Sequence, residues 1–259
     1  MSHGRPVVAY ALHDADGRPI ARRNPGTVFY AASTIKLAVL LAAMRAVDAG
    51  DLALDDTLEC PRLFRSDVAA PDFAVPPEDA DPQYPADGSR APVSWLLERM
   101  VCASSNEATN VLLDRLGLVA VDAALHACGT SAARMQRRFG DVAAAAAGLT
   151  NEVTAGDAVT LMRRVTAGDL TTPESTRFMR GLLMRQQHVR IGGAVPAGVM
   201  WGSKSGDVPG IEHDVAFVGD PSDPAAGALY LAVCTRGFLP EQGREVIVSI
   251  AAALLAGRL

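Results

Sequence analysis

The stretch Ser33-Thr34-Ile35-Lys36 opens the longest apolar run of the chain, Leu37–Met44. A serine and a lysine three positions apart at a helix start lie one turn apart on the same face. A lysine held against apolar walls is disfavoured as an ammonium ion, so its amine can take the proton of the serine hydroxyl and activate it. The stretch therefore predicts an acyl-transfer site, although a capping serine followed by a solvated lysine gives the same pattern.

Two further segments decide between these interpretations. Ser104-Ser105-Asn106 follows the apolar segment 95–103, and Lys204-Ser205-Gly206 follows 199–203 and precedes a glycine-proline turn. The order Ser-x-x-Lys, Ser-x-Asn, Lys-Ser-Gly is the motif set of the penicillin-recognising serine enzymes. On these motifs the chain resembles the class A β-lactamases and the broader group of β-lactamase-like serine hydrolases.

The resemblance extends over roughly residues 6–257. Val7–Leu12 with a turn at 14–17 predicts an opening hairpin, and 229–235 and 241–256 predict a last strand and a last helix. The resemblance implies an α+β fold of the β-lactamase/transpeptidase type, an antiparallel sheet flanked by helices with an inserted all-helical lobe. We expect a single domain over 1–259, with a sheet lobe at about 1–45 and 190–259 and a helical lobe at about 46–189.

The resemblance also assigns roles to the catalytic residues. Ser33 is expected to be the nucleophile that forms an acyl-enzyme, and Lys36 the base that takes its proton during acylation. Ser104 is expected to relay a proton to the leaving group. Asn106 is expected to bind the substrate's amide side chain and to orient Lys36.

A second set of residues is expected to bind substrate. Lys204 would attract a substrate carboxylate, Ser205 would donate a hydrogen bond to it, and Gly206 would let the substrate backbone approach closely. The main-chain N–H groups of Ser33 and Asp207 would form the oxyanion hole.

His213 lies nine residues after Lys204, where many class A enzymes carry an arginine that binds the substrate carboxylate. A protonated histidine could make the same contact. A histidine at a strand end paired with Glu212 or Asp214 is the alternative, and Arg236 is a further candidate for the carboxylate.

One part of the family pattern is missing. Class A β-lactamases activate the hydrolytic water with a loop glutamate, whereas this chain reads Arg137-Arg138-Phe139-Gly140-Asp141, with glycine where relatives place the carboxylate. Asp141 could replace it or form a structural ion pair with Arg137 or Arg138, and Glu152 is expected near a helix start. Without a placed base, deacylation is expected to be slow.

Composition excludes several other classes. The 259 residues carry a formal net charge of −5, which provides no basic surface for nucleic acid. The four cysteines and five histidines have no metal-ligand spacing, so we expect no metal and no cofactor. No run is long enough to span a membrane. The prolines of the segment 61–92 predict a long surface loop of the kind that borders sites.

The N-terminal sequence and the family resemblance predict different cellular compartments. Met1–Arg5 leads straight toward the first strand without an apolar signal segment, which predicts a cytoplasmic protein. The family is usually exported, so the resemblance predicts a periplasmic or secreted protein whose leader has been removed.

These observations predict a serine acyl hydrolase or acyltransferase that acts on an amide, ester or β-lactam, with a small-molecule or peptide acyl substrate and weak β-lactamase activity. The alternative is a module that binds or senses a β-lactam or another acyl compound without turnover.

Overall fold

The computed structural model describes residues 5–223 and 227–259, so most of the predicted Met1–Arg5 lead-in lies outside the described residues. At its centre is a five-stranded sheet in the order β2-β1-β10-β9-β8, antiparallel at every pairing. Its strands are β1 (Val7–His13), β2 (Pro19–Arg23), β8 (Trp201–Val208), β9 (Ile211–Val218) and β10 (Leu229–Arg236).

Shorter strands and the helices complete the described part of the chain. The short strands form a sheet β3-β7-β6 and a pair β4-β5; they are β3 (Phe29–Tyr30), β4 (Thr57–Cys60), β5 (Ser89–Pro92), β6 (Arg134–Met135) and β7 (Asn151–Val153). The helices are α1 (Lys36–Asp48), α2 (Val93–Cys102), α3 (Asn106–Leu116), α4 (Leu118–Cys128), α5 (Val142–Ala146), α6 (Ala155–Ala167), α7 (Pro173–Met184) and α8 (Pro240–Leu255).

The main sheet is covered on both faces. Its strand β10 shows why, because this strand is apolar at every position except the last two and so has apolar side chains on each face. Successive side chains of a strand point to opposite faces. Leu231 and Val233 pack in a cluster with Ile247 of α8, whereas Tyr230 and Ala232 belong to the larger core on the other side. The predicted architecture, an antiparallel sheet flanked by helices, is confirmed.

Helix α1 runs through the larger core. Its residues from Lys36 to Met44 are all buried, so its first two and a half turns have no solvent-facing side. A 3₁₀ turn over Ala32–Ile35 precedes it and places Ser33 at the helix entrance.

The long segment between the first and last strands of the main sheet supplies the rest of the helices. Helices α2–α7 lie within the range expected for the helical lobe. The proline-rich segment runs from β4 to β5, and residues 78–83 of it line the main cleft. No helix of the described residues is long and apolar enough to cross a membrane.

Candidate active site

Ser33 lies where two cavities of the surface meet. The larger is a cleft of about 730 Å³ between the loop 78–83, the turn after α2 and the segment 187–190. The smaller, of about 240 Å³, lies on the side of α5 and the loop before it. Four residues line both cavities: Ser33, Asp79, Asn106 and Asp207.

The turn that carries Ser33 has an unusual backbone. Ala32 has φ +45°, and Ser104 on the opposite wall has φ +60°. Positive φ costs energy for residues with a Cβ and concentrates at functional sites, and among the described residues Asn24 is the one other example outside glycine. The Thr34 hydroxyl donates to the Ala31 carbonyl at 2.6 Å, which helps to hold the turn.

The Lys36 amine is buried and tightly held. Its Nζ donates to the Ser104 carbonyl at 2.6 Å and to Asn106 Oδ1 at 2.7 Å, and lies 3.4 Å from Ser104 Oγ. Burial, followed by the charge of Lys204, lowers the pKa of Lys36 well below its ordinary value. The structure thus brings Asn106 into contact with Lys36, the residue that it was expected to orient.

Lys204 approaches the same hydroxyl from the sheet. Its Nζ lies 3.0 Å from Ser104 Oγ and 2.9 Å from the Ser205 carbonyl. Burial lowers the pKa of Lys204 to about 7. Ser104 Oγ therefore lies between two buried lysine amines, an arrangement suited to passing a proton.

Strand β8 is the edge strand of the sheet and packs against the Ser33 turn. A Cβ added to Gly206 would lie 2.7 Å from Ser33 N and 2.8 Å from Thr34 N, so only glycine permits this approach. Ser205 is buried opposite Asp214, while Asp207 is exposed at the cleft.

Two arginines at the cleft were missed by the sequence analysis. Arg190 donates from Nε to Glu212 at 2.7 Å and from Nη2 to Asp207 at 2.9 Å. Arg244 of α8 contacts the other Glu212 oxygen at 3.3 Å, and its side chain is 52% exposed. No nearby motif marks either residue. The segment before β8 brings Arg190 to Glu212 and the packing of α8 brings Arg244 there, so both contacts are tertiary.

His213 and Arg236 are not brought to the cleft. His213 is 0% exposed, and burial lowers its pKa to about 4, so it is neutral and is not a carboxylate ligand. Its ring nitrogens lie 2.7 Å from the Glu212 carbonyl and 3.0 Å from the Tyr30 carbonyl. The alternative pairing with Glu212 is therefore a contact with its main chain and not with its carboxylate. Arg236 lies over the Phe29 ring.

In the loop before α5, the residue next to Lys36 is not the one that the sequence comparison put in the place of the missing carboxylate. Asn110 clasps the main chain of Phe139 with two hydrogen bonds of 2.8 and 3.0 Å. The Phe139 ring faces Lys36, whose Nζ lies 4.4 Å from the ring centroid. The loop residue against Lys36 is therefore Phe139, not Gly140, which lies beside the main chain of Val75 with φ +85°.

The two loop carboxylates have structural contacts. Asp141 caps α5 through Ala144 N–H and accepts from Ser66 Oγ and Asp67 N–H, while Arg138 pairs with Asp67 and Asp114. The structural interpretation of Asp141 holds, but the predicted ion pair with Arg137 or Arg138 is wrong. Glu152 lies in β7, not at a helix start, and pairs with Arg134. Within the described ranges no three His, Cys, Asp or Glu side chains form a group that could hold a metal.

Known proteins resemble this chain over almost its whole length. The model of the Beta-lactamase enzyme family matches residues 2–257. The crystal structure of a β-lactamase from Sphaerobacter thermophilus DSM 20745 is 30% identical, with a TM-score of 0.80 over 96% of this chain and 90% of that one. No curated protein sequence matches the chain.

Two other solved structures extend the comparison. A variant of the class A β-lactamase of the last common ancestor of Gram-negative bacteria is 25% identical (TM-score 0.77, 98% of this chain and 92% of that one). PBP-A, at 22% identity, shares the fold with a TM-score of 0.79 over 97% of this chain and 89% of that one. The site geometry and these matches together establish that the chain belongs to the Beta-lactamase enzyme family and is a β-lactamase-like serine hydrolase.

Proposed function

We propose that this enzyme forms an acyl-enzyme on Ser33 with amide, ester or β-lactam substrates and releases the acyl group slowly. One observation carries the proposal: the buried amines of Lys36 and Lys204 converge on Ser104 Oγ, at 3.4 and 3.0 Å, beside the turn that presents Ser33. Neither lysine has a carboxylate within ion-pairing distance among the described residues, which suits proton transfer better than a structural ion pair.

Acylation follows from the groups present. Neutral Lys36 takes the proton of Ser33, whose Oγ bonds to the substrate carbonyl carbon. The oxyanion is held by the main-chain N–H groups of Ser33 and Asp207, which the close approach of Gly206 brings together. The proton that Lys36 took then passes through Ser104 Oγ to the departing nitrogen or oxygen as its bond to carbon breaks, which leaves an ester on Ser33 and Lys36 neutral.

The charges of the cleft support a substrate with a carboxylate. Lys204 is protonated below about pH 7, and the exposed Arg244 guanidinium is anchored by Glu212 at its Nε and keeps its other donors for ligand. Arg190 is only 4% exposed and is engaged by Glu212 and Asp207, so it supports the site more than it contacts the cleft. The substrate class that fits is a small molecule or peptide with a carboxylate near the acyl carbon.

Slow release follows from Phe139. The Phe139 ring lies against Lys36, in a place where a carboxylate could act as the general base for the hydrolytic water. A phenyl ring cannot take a proton from that water. Loss of a general base costs roughly 10²–10⁴ in rate. This same ring is the observation that favours the second candidate function, a module that is acylated and does not turn over. One relative of the same fold, a point mutant of PBP-A, is described as an acyl-enzyme complex with penicillin G.

A fluorescent penicillin and time-resolved intact mass spectrometry test the proposal. We expect an adduct of one penicillin on Ser33 that disappears slowly. An adduct that persists without any hydrolysed product would support the binding module instead. Absence of an adduct at saturating penicillin would refute acylation of this site by β-lactams.

A further inference from the structure

Glu107 is a buried carboxylate without a cationic partner. It follows Asn106 in the first turn of α3 and is 2% exposed. Within residues 5–223 and 227–259 no lysine, arginine or histidine lies within ion-pairing distance of it. A buried unpaired charge is expensive, so its presence beside the catalytic Asn106 calls for a reason.

The hydrogen bonds of Glu107 connect it to the cleft loop. Both carboxylate oxygens lie 3.2 Å from Asp81 N, and Ser105 Oγ lies 3.4 Å from Oε2. Asp81 is itself clasped by Arg99 through two hydrogen bonds of 2.9 and 2.6 Å. Glu107 therefore joins the Ser104–Asn106 turn to the loop that forms one wall of the cleft.

Glu107 is also one of the charged groups that act on Lys36. Lys36 faces Lys204 and Asp207 from β8, Asp79 from the cleft loop and Glu107 from α3. Glu107 also faces Asp81 of that loop, which is paired with Arg99, and Tyr84 just beyond the loop. Of the carboxylates that act on Lys36, Asp207 is paired with Arg190 and Asp79 is exposed, so solvent or a partner weakens both. Glu107 is buried and has no ion-pair partner among the described residues. Ser105 connects it to the lysine, because the Ser105 carbonyl lies 3.4 Å from Lys36 Nζ and the Ser105 Oγ lies 3.4 Å from Glu107 Oε2.

We propose that Glu107 is a positioning residue of the Ser33 site: it fixes the cleft loop through the Asp81 amide, and its carboxylate supports the buried amine of Lys36, the group that takes the Ser33 proton. The inference rests on the proposed role of Lys36 as the acylation base.

The test separates charge from structure. Glu107→Gln keeps an acceptor for the Asp81 amide and removes the charge, Glu107→Leu removes both, and Glu107→Asp keeps the charge. Glu98→Gln on α2 is the matched control, because that side chain is 51% exposed. The acylation rate constant of each variant is measured against pH with a fluorescent penicillin.

Removing a negative charge disfavours the ammonium form, so the pKa of Lys36 falls and the acidic limb of the profile moves to lower pH. We expect a shift of about one pH unit in the Gln and Leu variants, and no shift in the Asp variant or the Glu98→Gln control. A profile that keeps its wild-type position in both uncharged variants, at whatever rate, would overturn the inference.

A titration of the Lys36 side chain by heteronuclear NMR gives a readout without any acyl donor. The same downward shift is expected in the uncharged variants, and its absence would overturn the inference by this route as well. A wild-type protein that is never acylated, but whose Lys36 titration moves as expected, would refute the proposed function and leave the electrostatic role of Glu107 standing.

Discussion

At the scale of single residues, the proposed mechanism needs the two buried lysines in opposite protonation states. Lys36 must be neutral to take a proton, and Lys204 must be charged to attract a carboxylate. Burial lowers both pKa values, and that of Lys204 lies at about 7. Loss of the Lys36 proton should therefore raise the acylation rate constant with pH, and loss of the Lys204 proton near pH 7 should lower it.

Rates for a penicillin and for its neutral methyl ester, measured between about pH 5 and 9, check this. The ester has no carboxylate for Lys204 to attract, so its profile should keep the rising limb and lose the falling one. Two profiles of the same shape would show that Lys204 does not act through the carboxylate.

The nucleophile can be tested by removing one hydroxyl. Ser33→Ala should abolish covalent labelling by penicillins and fluorophosphonates, and it should leave the free energy of unfolding almost unchanged because the side chain lies partly exposed at a turn. Ser249→Ala, at an exposed position of α8, is the control and should label as the wild type does. Labelling of the Ser33→Ala protein at the wild-type rate would exclude this serine.

Some residues could be predicted from the sequence because their signal is local. Ser33 and Lys36 lie one turn apart, and Asn110 lies four positions after Asn106, a spacing that places both on one face of α3 and marks Asn110 as a residue near the site. Arg244 had no such signal, because its contact with Glu212 joins α8 to β9.

At the scale of elements, the packing of β8 on the Ser33 turn depends on one missing side chain. Gly206→Ala would place a Cβ 2.7 Å from Ser33 N and force the strand and turn apart. We expect a loss of about 1–3 kcal/mol in the free energy of unfolding and a fall in acylation rate of roughly 10²-fold or more. Gly193→Ala is the control, since a Cβ there meets nothing within 4 Å. Equal acylation by both variants would argue against tight packing at Gly206.

The loop before α5 shows where sequence reasoning failed at this scale. The motif comparison put Gly140 in the position of the missing glutamate, but Asn110 fixes Phe139 against Lys36. A loop register is set by such tertiary hydrogen bonds, which a sequence of arginines and glycine does not encode locally.

The same geometry selects the substitution that should accelerate deacylation. Phe139→Glu places a carboxylate beside Lys36 and should shorten the lifetime of the adduct on Ser33, whereas Phe139→Gln should not. Phe139 is 6% exposed, so either change costs on the order of 3 kcal/mol, and adduct lifetimes are compared by intact mass at low temperature. Equal lifetimes in the Glu and Gln variants, both folded by circular dichroism, would show that this position cannot supply the base.

Gly140→Glu should not accelerate deacylation. Its φ of +85° disfavours any side chain, and an added Cβ would lie 3.3 Å from the Val75 main chain. We therefore expect lost stability and an unchanged adduct lifetime.

At the scale of the whole molecule, the order of elements was predictable and the meeting of distant segments was not. An opening hairpin and closing strands around a helical middle imply one antiparallel sheet built from both ends of the chain, as β1 beside β10 confirms. The cleft, however, combines the turn before α1, the turn before α3 and the edge strand β8 with the loop 78–83, the segment 187–190 and the start of α8. Motif order identifies the first three segments, and the prolines of 61–92 predict a loop that borders a site. Only the folded chain adds the segment 187–190 and the start of α8.

The behaviour of the complete enzyme tests how these parts work together. Because the acylation groups are assembled and Phe139 occupies the place beside Lys36, the wild type should open one equivalent of penicillin in a burst, hold it as the ester on Ser33, and then turn over slowly. Rapid mixing with a chromogenic β-lactam measures the burst amplitude, which should equal the enzyme concentration and vanish in Ser33→Ala. Fast linear turnover without a burst would mean that another group, such as Asp141, already activates water, and that slow deacylation is not a property of this enzyme.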